Sequence, residues 1–309
     1  MKGCEVNVTY PVMYPLELRE QTNLSDSLYP VNLFHNVSPQ GEIGRTVLYM
    51  HWHEHMEFIY ITAGKASFHI DRRQFDAEPG DFLVVPSGGL HVGYASSAET
   101  VEFWSLVFSR TLVDSPFHDP IHDHYLSPYL SGSTAYPVKL EEQSVLRRIR
   151  LIFNGIIDEY KSKEPAYELI VKSQVLLILS LLSRHSAANR TDGPAPQPNK
   201  RIDRIKEALL YIRQHYDKKL TLTEAARMVN LTPYHFCNVF KAATGRTFVD
   251  YVNRYRMDIA ERLLKEGATV TEAAAKVGYD NLNYFTKTFK RIKGVTPSEM
   301  KKRGAGGAR

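Results

Sequence analysis

The chain has 309 residues, 43% of them apolar and 24% charged, which is enough for two domains that each bury a core. No run reaches the roughly 18 uninterrupted apolar residues of a membrane span, and two cysteines, Cys4 and Cys237, exclude a disulfide framework or a cysteine-rich zinc cluster. The formal net charge of +5 is unevenly placed: from Asn199 onward 23 Lys and Arg face 11 Asp and Glu, whereas the preceding residues carry 16 against 23. A basic half beside an acidic half points to a polyanion partner for the former, with a merely solvated basic surface as the plainer reading. With no basic-then-apolar N-terminal stretch and few cysteines, a cytoplasmic location is expected and no membrane partner.

Residues up to about Val37 show no clear period. From Thr46 to Phe108 the short runs VLYMHWH, EFIYITA, ASFHID, DFLVVP and TVEFWSLVF are separated by Gly64, Asp71-Arg72-Arg73, Pro79-Gly80 and Ser87-Gly88-Gly89. This spacing predicts a small barrel or sandwich. A polar connection, Ser109 to Pro137, leads to helices over Val145 to Tyr160 and Tyr167 to Arg184. Leu176, Leu177, Leu179, Leu181 and Leu182 cover more than one helix face, which fits either a homodimer interface or burial of both faces within one chain. Ser186 to Lys200 (SAANRTDGPAPQPNK) cannot build a core and is read as a linker. The expected domains are therefore 1–185, a linker at 186–200, 201–303 and a tail at 304–309.

Beyond the linker the chain is helical. Ile205, Leu209 and Ile212 share a stripe, Thr221 or Thr223 caps a helix to Met228, and Thr232 precedes Pro233 at a helix start. Phe236, Val239 and Phe240 then face inward. A long helix, Phe248 to Glu266, leads to a second copy of the unit: Val270 to Val277, a Gly278-Tyr279 turn, Asp280 or Asn281 as cap, and Phe285, Phe289 and Ile292 inward. Gly294 stops it and Thr296-Pro297 opens a last helix. A helix-turn-helix lays its second helix in the major groove of double-stranded DNA. The outer faces offer Tyr234, His235, Cys237, Asn238 and Lys241 in the first unit, and Asn281, Asn283, Tyr284, Thr286, Lys287 and Lys290 in the second. Asn and Lys suit base edges; Thr and further Lys suit phosphates or thymine methyls.

AAAKVGYDNLNYFTKTFKRIKGVTPSEM resembles the DNA-binding domain of the AraC family of bacterial transcription regulators, and the likeness extends from about Ile202 to Arg303. It implies two helix-turn-helix units tied by a linking helix and set in adjacent major grooves. Carried over by position, Tyr234, Cys237, Asn238, Asn283, Thr286 and Lys287 are contact candidates. Met300 departs from the aromatic residue common there, which bears on packing. Activation, hence contact with RNA polymerase, is the commoner mode in that family.

In the β segment, His51 and His53 are two apart in a strand and so share a face; Glu57 and His91 approach them if the strands are neighbours. His51-x-His53, three residues, Glu57, six residues, Gly64, then Gly80, five residues, Pro86-x-Gly88, two residues, His91 resembles the two cupin motifs. Ala95 stands where those motifs carry an asparagine. The resemblance implies a cupin-like sensor barrel. His51, His53, Glu57 and His91 are ligands suited to a divalent metal such as Mn, Fe, Ni or Zn. The other reading is barrel architecture around an organic effector with no cofactor. Trp52 and Tyr94, with Tyr49, Tyr60 and Trp104 nearby, offer stacking surfaces suited to a sugar, although core packing explains most aromatic residues equally well. The whole is a multidomain α and β chain: a cupin-like β-barrel with two following helices, then an all-α domain. Two functions compete, an effector-controlled transcription regulator that is not an enzyme, and a metal-dependent cupin isomerase or dioxygenase with an accessory DNA-binding domain.

Overall fold

The computed structural model describes residues 18, 24, 29–114, 119–130, 136, 138–188 and 200–306, with backbone alone at 187, 188, 200, 201 and 303–306. It forms two compact units, Met1–Asn199 and Lys200–Arg309. Of the expected linker, 186–188 prolong a helix, 200 opens the next, and 189–199 lie outside the described residues, as do Cys4 and 307–309.

The first unit begins with eight strands: β1 Val31–Ser38, β2 Thr46–His51, β3 Met56–Ala63, β4 Ala66–Ile70, β5 Arg73–Ala77, β6 Phe82–Val85, β7 His91–Ala95 and β8 Val101–Phe108. They pair antiparallel in two four-stranded sheets, ordered β1-β8-β3-β6 and β2-β7-β4-β5, the interleaved order of a jelly roll. Side chains alternate across each strand. Ile59, Ile61, Phe68, Ile70, Leu83, Val85, Val101 and Phe103 fill the space between the sheets, whereas Phe58, Tyr60, Phe82, Trp104 and Leu106 face the helices. β1, β5 and β7 are absent from the sequence reading. In β1 and β5 polar residues interrupt the apolar alternation, and β7 is short and follows a glycine turn.

Two short helices, α1 Pro120–Tyr125 and α2 Ser127–Leu130, lie in the connection expected to be irregular; Asp119 caps α1 by accepting from the Ile121 and His122 N–H groups. α3 Gln143–Ser162 and α4 Tyr167–Ala188 follow. Leu146, Ile149, Phe153 and Ile156 of α3 and Val171, Val175, Ile178 and Leu182 of α4 join the outer core of the β1-β8-β3-β6 sheet. Residues Tyr167–Ser186 of α4 are long and apolar enough to cross a membrane by length and composition alone, yet Val171, Val175, Ile178 and Leu182 are buried in the core with the sheet. Leu179, Leu181 and Leu182 are buried within the chain, while Leu177 stays 44% exposed.

The second unit contains α5 Lys200–Gln214, α6 Leu222–Met228, α7 Pro233–Thr244, α8 Phe248–Lys265, α9 Val270–Lys276, α10 Leu282–Lys293 and α11 Pro297–Gly306. The start of each helix-turn-helix pair carries the same device. Thr221 and Glu224 form a capping box on α6, and Thr269 and Glu272 form one on α9, each satisfying otherwise unpaired N–H groups. Thr232 and Asn281 cap α7 and α10, and Gly245 and Gly294 end them in the left-handed conformation. Phe285 and Phe289 are fully buried with Met257, Ala260, Val277 and Met300; Ile292 is half-buried beside them. The departure at Met300 is thus a packing residue.

Candidate functional site

Four side chains from separate parts of the first sandwich converge. His51 ends β2, His53 lies beyond it in the turn to β3, Glu57 is the second residue of β3, and His91 opens β7. His51 and His53 therefore do not share a strand, contrary to the expectation from their spacing. The register between β2 and β7 slips twice, from Thr46 opposite Tyr94 to Leu48 opposite Gly93 to His51 opposite His91. Such bulges re-aim side chains, and here they bring His51 inward beside its partner. The imidazole centroids lie 4.1 Å apart for His51 and His91, 5.5 Å for His51 and His53, and 5.3 Å for His53 and His91. One ligand atom from each of the four residues falls within 4.8 Å of all the others, and all four are buried.

The ring orientations are set by backbone. His51 Nδ1 is 2.7 Å from the Tyr49 carbonyl oxygen, His53 Nδ1 3.0 Å from that of His55, and His91 Nδ1 2.9 Å from that of Gly89. A carbonyl oxygen only accepts, so each Nδ1 carries a proton, which leaves Nε2 as the ring atom that can meet a ligand or the carboxylate. Such carbonyl-fixed imidazoles are how metal-binding histidines are held. Glu57 Oε2 lies 2.9 Å from His91 Nε2 and 3.3 Å from His53 Nε2. Burial alone would raise Glu57; the imidazoles of His91 and His53 outweigh it and hold the carboxyl well below its ordinary range. Burial, then His91, holds His51 well below the ordinary imidazole range. A buried carboxylate requires a positive charge beside it, supplied by a proton on a neighbouring Nε2 or by a bound cation. A divalent cation with three imidazoles and one carboxylate meets that requirement, so the donor set fits such an ion.

The aromatic candidates lie elsewhere. The inner faces of β3, β7 and β8 carry odd-numbered residues, so Tyr60, Tyr94 and Trp104 point outward. Tyr94 packs against His69 at 6.0 Å between centroids, and Trp104 stacks on His35 at 4.2 Å. Trp52 is half-buried just past β2, and its backbone N–H donates to the Leu18 carbonyl.

In the second unit Tyr234, Cys237, Asn238 and Lys241 are exposed on α7, and His235 is half-buried. Asn283, Tyr284, Lys287 and Lys290 are exposed on α10, Thr286 is half-buried, and Asn281 accepts from the Tyr284 N–H at the helix start. Tyr234 (80% exposed) and Tyr284 (57%) are bare aromatic surfaces on otherwise polar faces. Arg291 is exposed on α10 and was missed; it differs from Lys290 only in lying one step round the helix. Lys293 turns away, 2.6 Å from Asp258 and 2.5 Å from Glu261 of α8. The Tyr279 hydroxyl donates to Asn253 of α8 at 2.9 Å, which ties the turn before α10 to the long helix.

Comparison with known proteins matches residues 44–179 to the family described as AraC-like ligand binding domain, and residues 225–303 to the helix-turn-helix domain family. The HTH-type transcriptional regulator YdeC of Bacillus subtilis, itself uncharacterised, is 27% identical over 82% of this chain and 86% of its own length. The regulatory protein PocR of Salmonella typhimurium is 37% identical over 37% of each chain. Fatty-acid-bound ToxT of Vibrio cholerae is 12% identical, covering 88% of this chain and 94% of that one with a TM-score of 0.39, too distant to carry a conclusion across. The named relatives are regulators, and none supports the cupin-enzyme alternative. With a cupin-like ligand-binding domain followed by a helix-turn-helix domain, the chain belongs to the AraC family of transcription regulators.

Proposed function

We propose that this regulator is a cytoplasmic homodimer that activates transcription when a small effector of the sugar class binds in the jelly roll beside a divalent metal held by His51, His53, Glu57 and His91. The observation that supports the metal is the set of three Nδ1-to-carbonyl hydrogen bonds, which leave Nε2 of each ring as the remaining ligand atom in a buried group of four whose ligand atoms lie within 4.8 Å of one another. The ion supplies a fixed positive charge and open coordination positions for an effector oxygen. Tyr234, His235, Cys237, Asn238 and Lys241 on α7, and Asn281, Asn283, Tyr284, Thr286, Lys287 and Lys290 on α10, form the proposed DNA face. The domain limits proposed from the sequence, 1–185 and 201–303, serve the same division of labour.

The dimer reading rests on α4. Ile170, Ser173, Leu177 and Ser180 are exposed at alternating spacings of three and four, a coiled-coil seam. Ser173 and Ser180 donate their hydroxyls to the carbonyls of Leu169 and Leu176 at 2.8 and 2.7 Å, so they present little unmet polarity to a second copy. Activation means that effector binding favours the dimer arrangement that contacts RNA polymerase, through unequal effector affinity for two arrangements. Selection of genomic fragments by the full chain, with and without metal and sugars, tests the reading. Bound fragments sharing a paired site upstream of genes, and increased transcription from them, are expected. Fragments bound without shared sequence would overturn it. Sedimentation of Leu177→Glu should give monomer where the parent gives dimer.

A further inference from the structure

The two helix-turn-helix pairs share one helix. The first half of α8 packs on the first pair: the Phe248 ring centroid lies 5.8 Å from those of Phe236 and Phe240 of α7, and that of Tyr251 5.5 Å from Phe240. The second half belongs to the other pair, where Met257, Ala260 and Leu264 share a core with Phe285 and Phe289 of α10. Helices curve, so a lone connecting helix leaves the angle between its two ends soft.

The changeover in α8 falls at residues 253–256, and three side chains there reach across. Asn253 accepts from the Tyr279 hydroxyl of the second pair at 2.9 Å. The Tyr255 ring meets that of Tyr216 edge-on at 5.5 Å and lies 5.5 Å from the Arg213 guanidinium of α5. Arg256 does the most. Its Nε–H donates to the Tyr216 carbonyl and its Nη2–H to that of Lys218, each at 2.6 Å, while its guanidinium sits 5.4 Å from the Tyr279 ring centroid.

Tyr216 and Lys218 belong to the connection that leads into α6 of the first pair. Asp217 lies between the two carbonyls that Arg256 holds, and its own carbonyl oxygen is so close to Gly278 that a Cβ there would strike it. The Tyr216 ring packs against the core of the second pair. Three consecutive residues of the first pair's connection thus rest on the second pair, apart from α8. A guanidinium fork on two carbonyls has fixed geometry, and its charge strengthens both bonds. Two ties at separate points resist a rotation that one tie permits.

We infer that Arg256 is a positioning residue: its fork on the Tyr216 and Lys218 carbonyls, with the Gly278–Asp217 contact, fixes α10 relative to α7 and so fixes how many base pairs separate the two sequences they read. The inference rests on α7 and α10 as the DNA-reading helices and adds a spacing rule to that reading. One inserted base pair moves the second sequence about 3.4 Å along the duplex and about 35° around it. Helices joined by α8 alone could follow that displacement, whereas a doubly tied pair must break the fork. A second copy in a dimer repeats the pair and leaves the spacing within it unchanged.

The test is selection of duplexes from a random library by the full chain, then affinity for the enriched sequence with and without one base pair inserted between its halves. The parent should enrich two motifs at one spacing and lose about tenfold or more on the insertion. Arg256→Met should enrich the same motifs at more than one spacing and lose less than about threefold. Arg256→Lys keeps a cation near Tyr279 but cannot span two carbonyls. It should behave as Arg256→Met does, and it decides the matter if the methionine variant fails to fold. Lys290→Ala, which removes an exposed charge from α10, should weaken both duplexes alike and keep the parent's penalty, so general loss of affinity cannot imitate relaxed spacing. Folded Arg256 variants that show the parent's full penalty overturn the tie while leaving the two-helix reading intact, as does a parent indifferent to the insertion. Enriched sequences that hold a single motif overturn the reading of α7 and α10 as paired readers, and this inference with it.

Discussion

His91 Nε2 and Glu57 Oε2 lie 2.9 Å apart in a part of the jelly roll closed to solvent, with the imidazole proton already committed to the Gly89 carbonyl on the other side of the ring. A carboxylate and an imidazole nitrogen at this separation are joined by a proton or by a metal cation. Protein purified without chelator is expected to hold one divalent metal per chain, and chelation should lower the melting temperature by mass action. His91→Ala should weaken metal binding beyond the roughly 10–100-fold that losing an outer partner costs. Absence of metal at near-stoichiometric level by elemental analysis would sink this expectation.

On DNA, Lys290→Ala should weaken binding to all sequences alike and lower the salt slope by about 1, as expected of an exposed cation that meets phosphate, whereas Lys287→Ala should relax preference at one base position. Asn283→Ala should likewise relax preference at one base position by about 1–3 kcal/mol. Titrations at several salt concentrations separate the two behaviours. A uniform effect from Asn283→Ala would move that residue from base reading to phosphate contact.

Lys293 binds Asp258 and Glu261 with little exposure to water. Burial opposes the charge of Lys293, but Asp258 and then Glu261 outweigh it, and its pKa is raised. Burial likewise opposes the charge of Glu261, but Lys293 and Lys265 hold it below the ordinary carboxylate value. A depressed carboxylate contributes stability above its unfolded pKa and loses it as pH falls through the folded one. A raised lysine contributes below its unfolded pKa and loses it as pH rises through the folded one. The contribution should thus be full near neutrality and fade at both extremes. Lys293→Met should cost about 3–5 kcal/mol at pH 7, where Asp258 loses this cation and Glu261 keeps Lys265, and much less at pH 3. An equal cost at both pH values in thermal unfolding would refute the coupling.

Gly278 has φ +76°, and a Cβ added there would collide with the Asp217 carbonyl oxygen. Gly294, at φ +74°, ends α10 with its N–H donated to the Lys290 carbonyl. Gly294→Ala should cost about 1–2 kcal/mol, the penalty of the left-handed region alone. Gly278→Ala should cost more, because backbone must move too. Denaturant unfolding of the two variants checks the order, and equal costs would mean that the Asp217 turn yields freely.

The helical unit was legible because its signals are local. Thr221, Thr232, Pro233, Asn281, Gly294 and Pro297 are punctuation read from neighbouring residues, and the Phe236-Phe240 and Phe285-Phe289 pairs follow one period. The connection before α3 was less legible, since α1 and α2 are too short to show a period. The four cluster residues were found by spacing, although the reason given for His51 and His53 was incomplete: bulges in β2, beyond the reach of a two-residue rule, turn His51 inward. Tyr94 and Trp104 were expected to offer stacking surfaces to an effector, yet both lie on outer faces. The face a strand residue occupies depends on which strand pairs with which, and β1 pairs with β8 some seventy positions away.

By itself, then, the sequence determined two units of different kind, the paired helical readers and the identity of three histidines and one glutamate, because caps, helical periods and short motifs are written between residues a few positions apart. Only the tertiary structure decided that those four side chains meet, that Lys293 leaves the basic face for Asp258 and Glu261, and that Tyr60, Tyr94 and Trp104 face away from the space between the sheets. Each of these depends on strand register or helix packing between distant residues, and hydrophobic burial sets that register only when the whole chain folds.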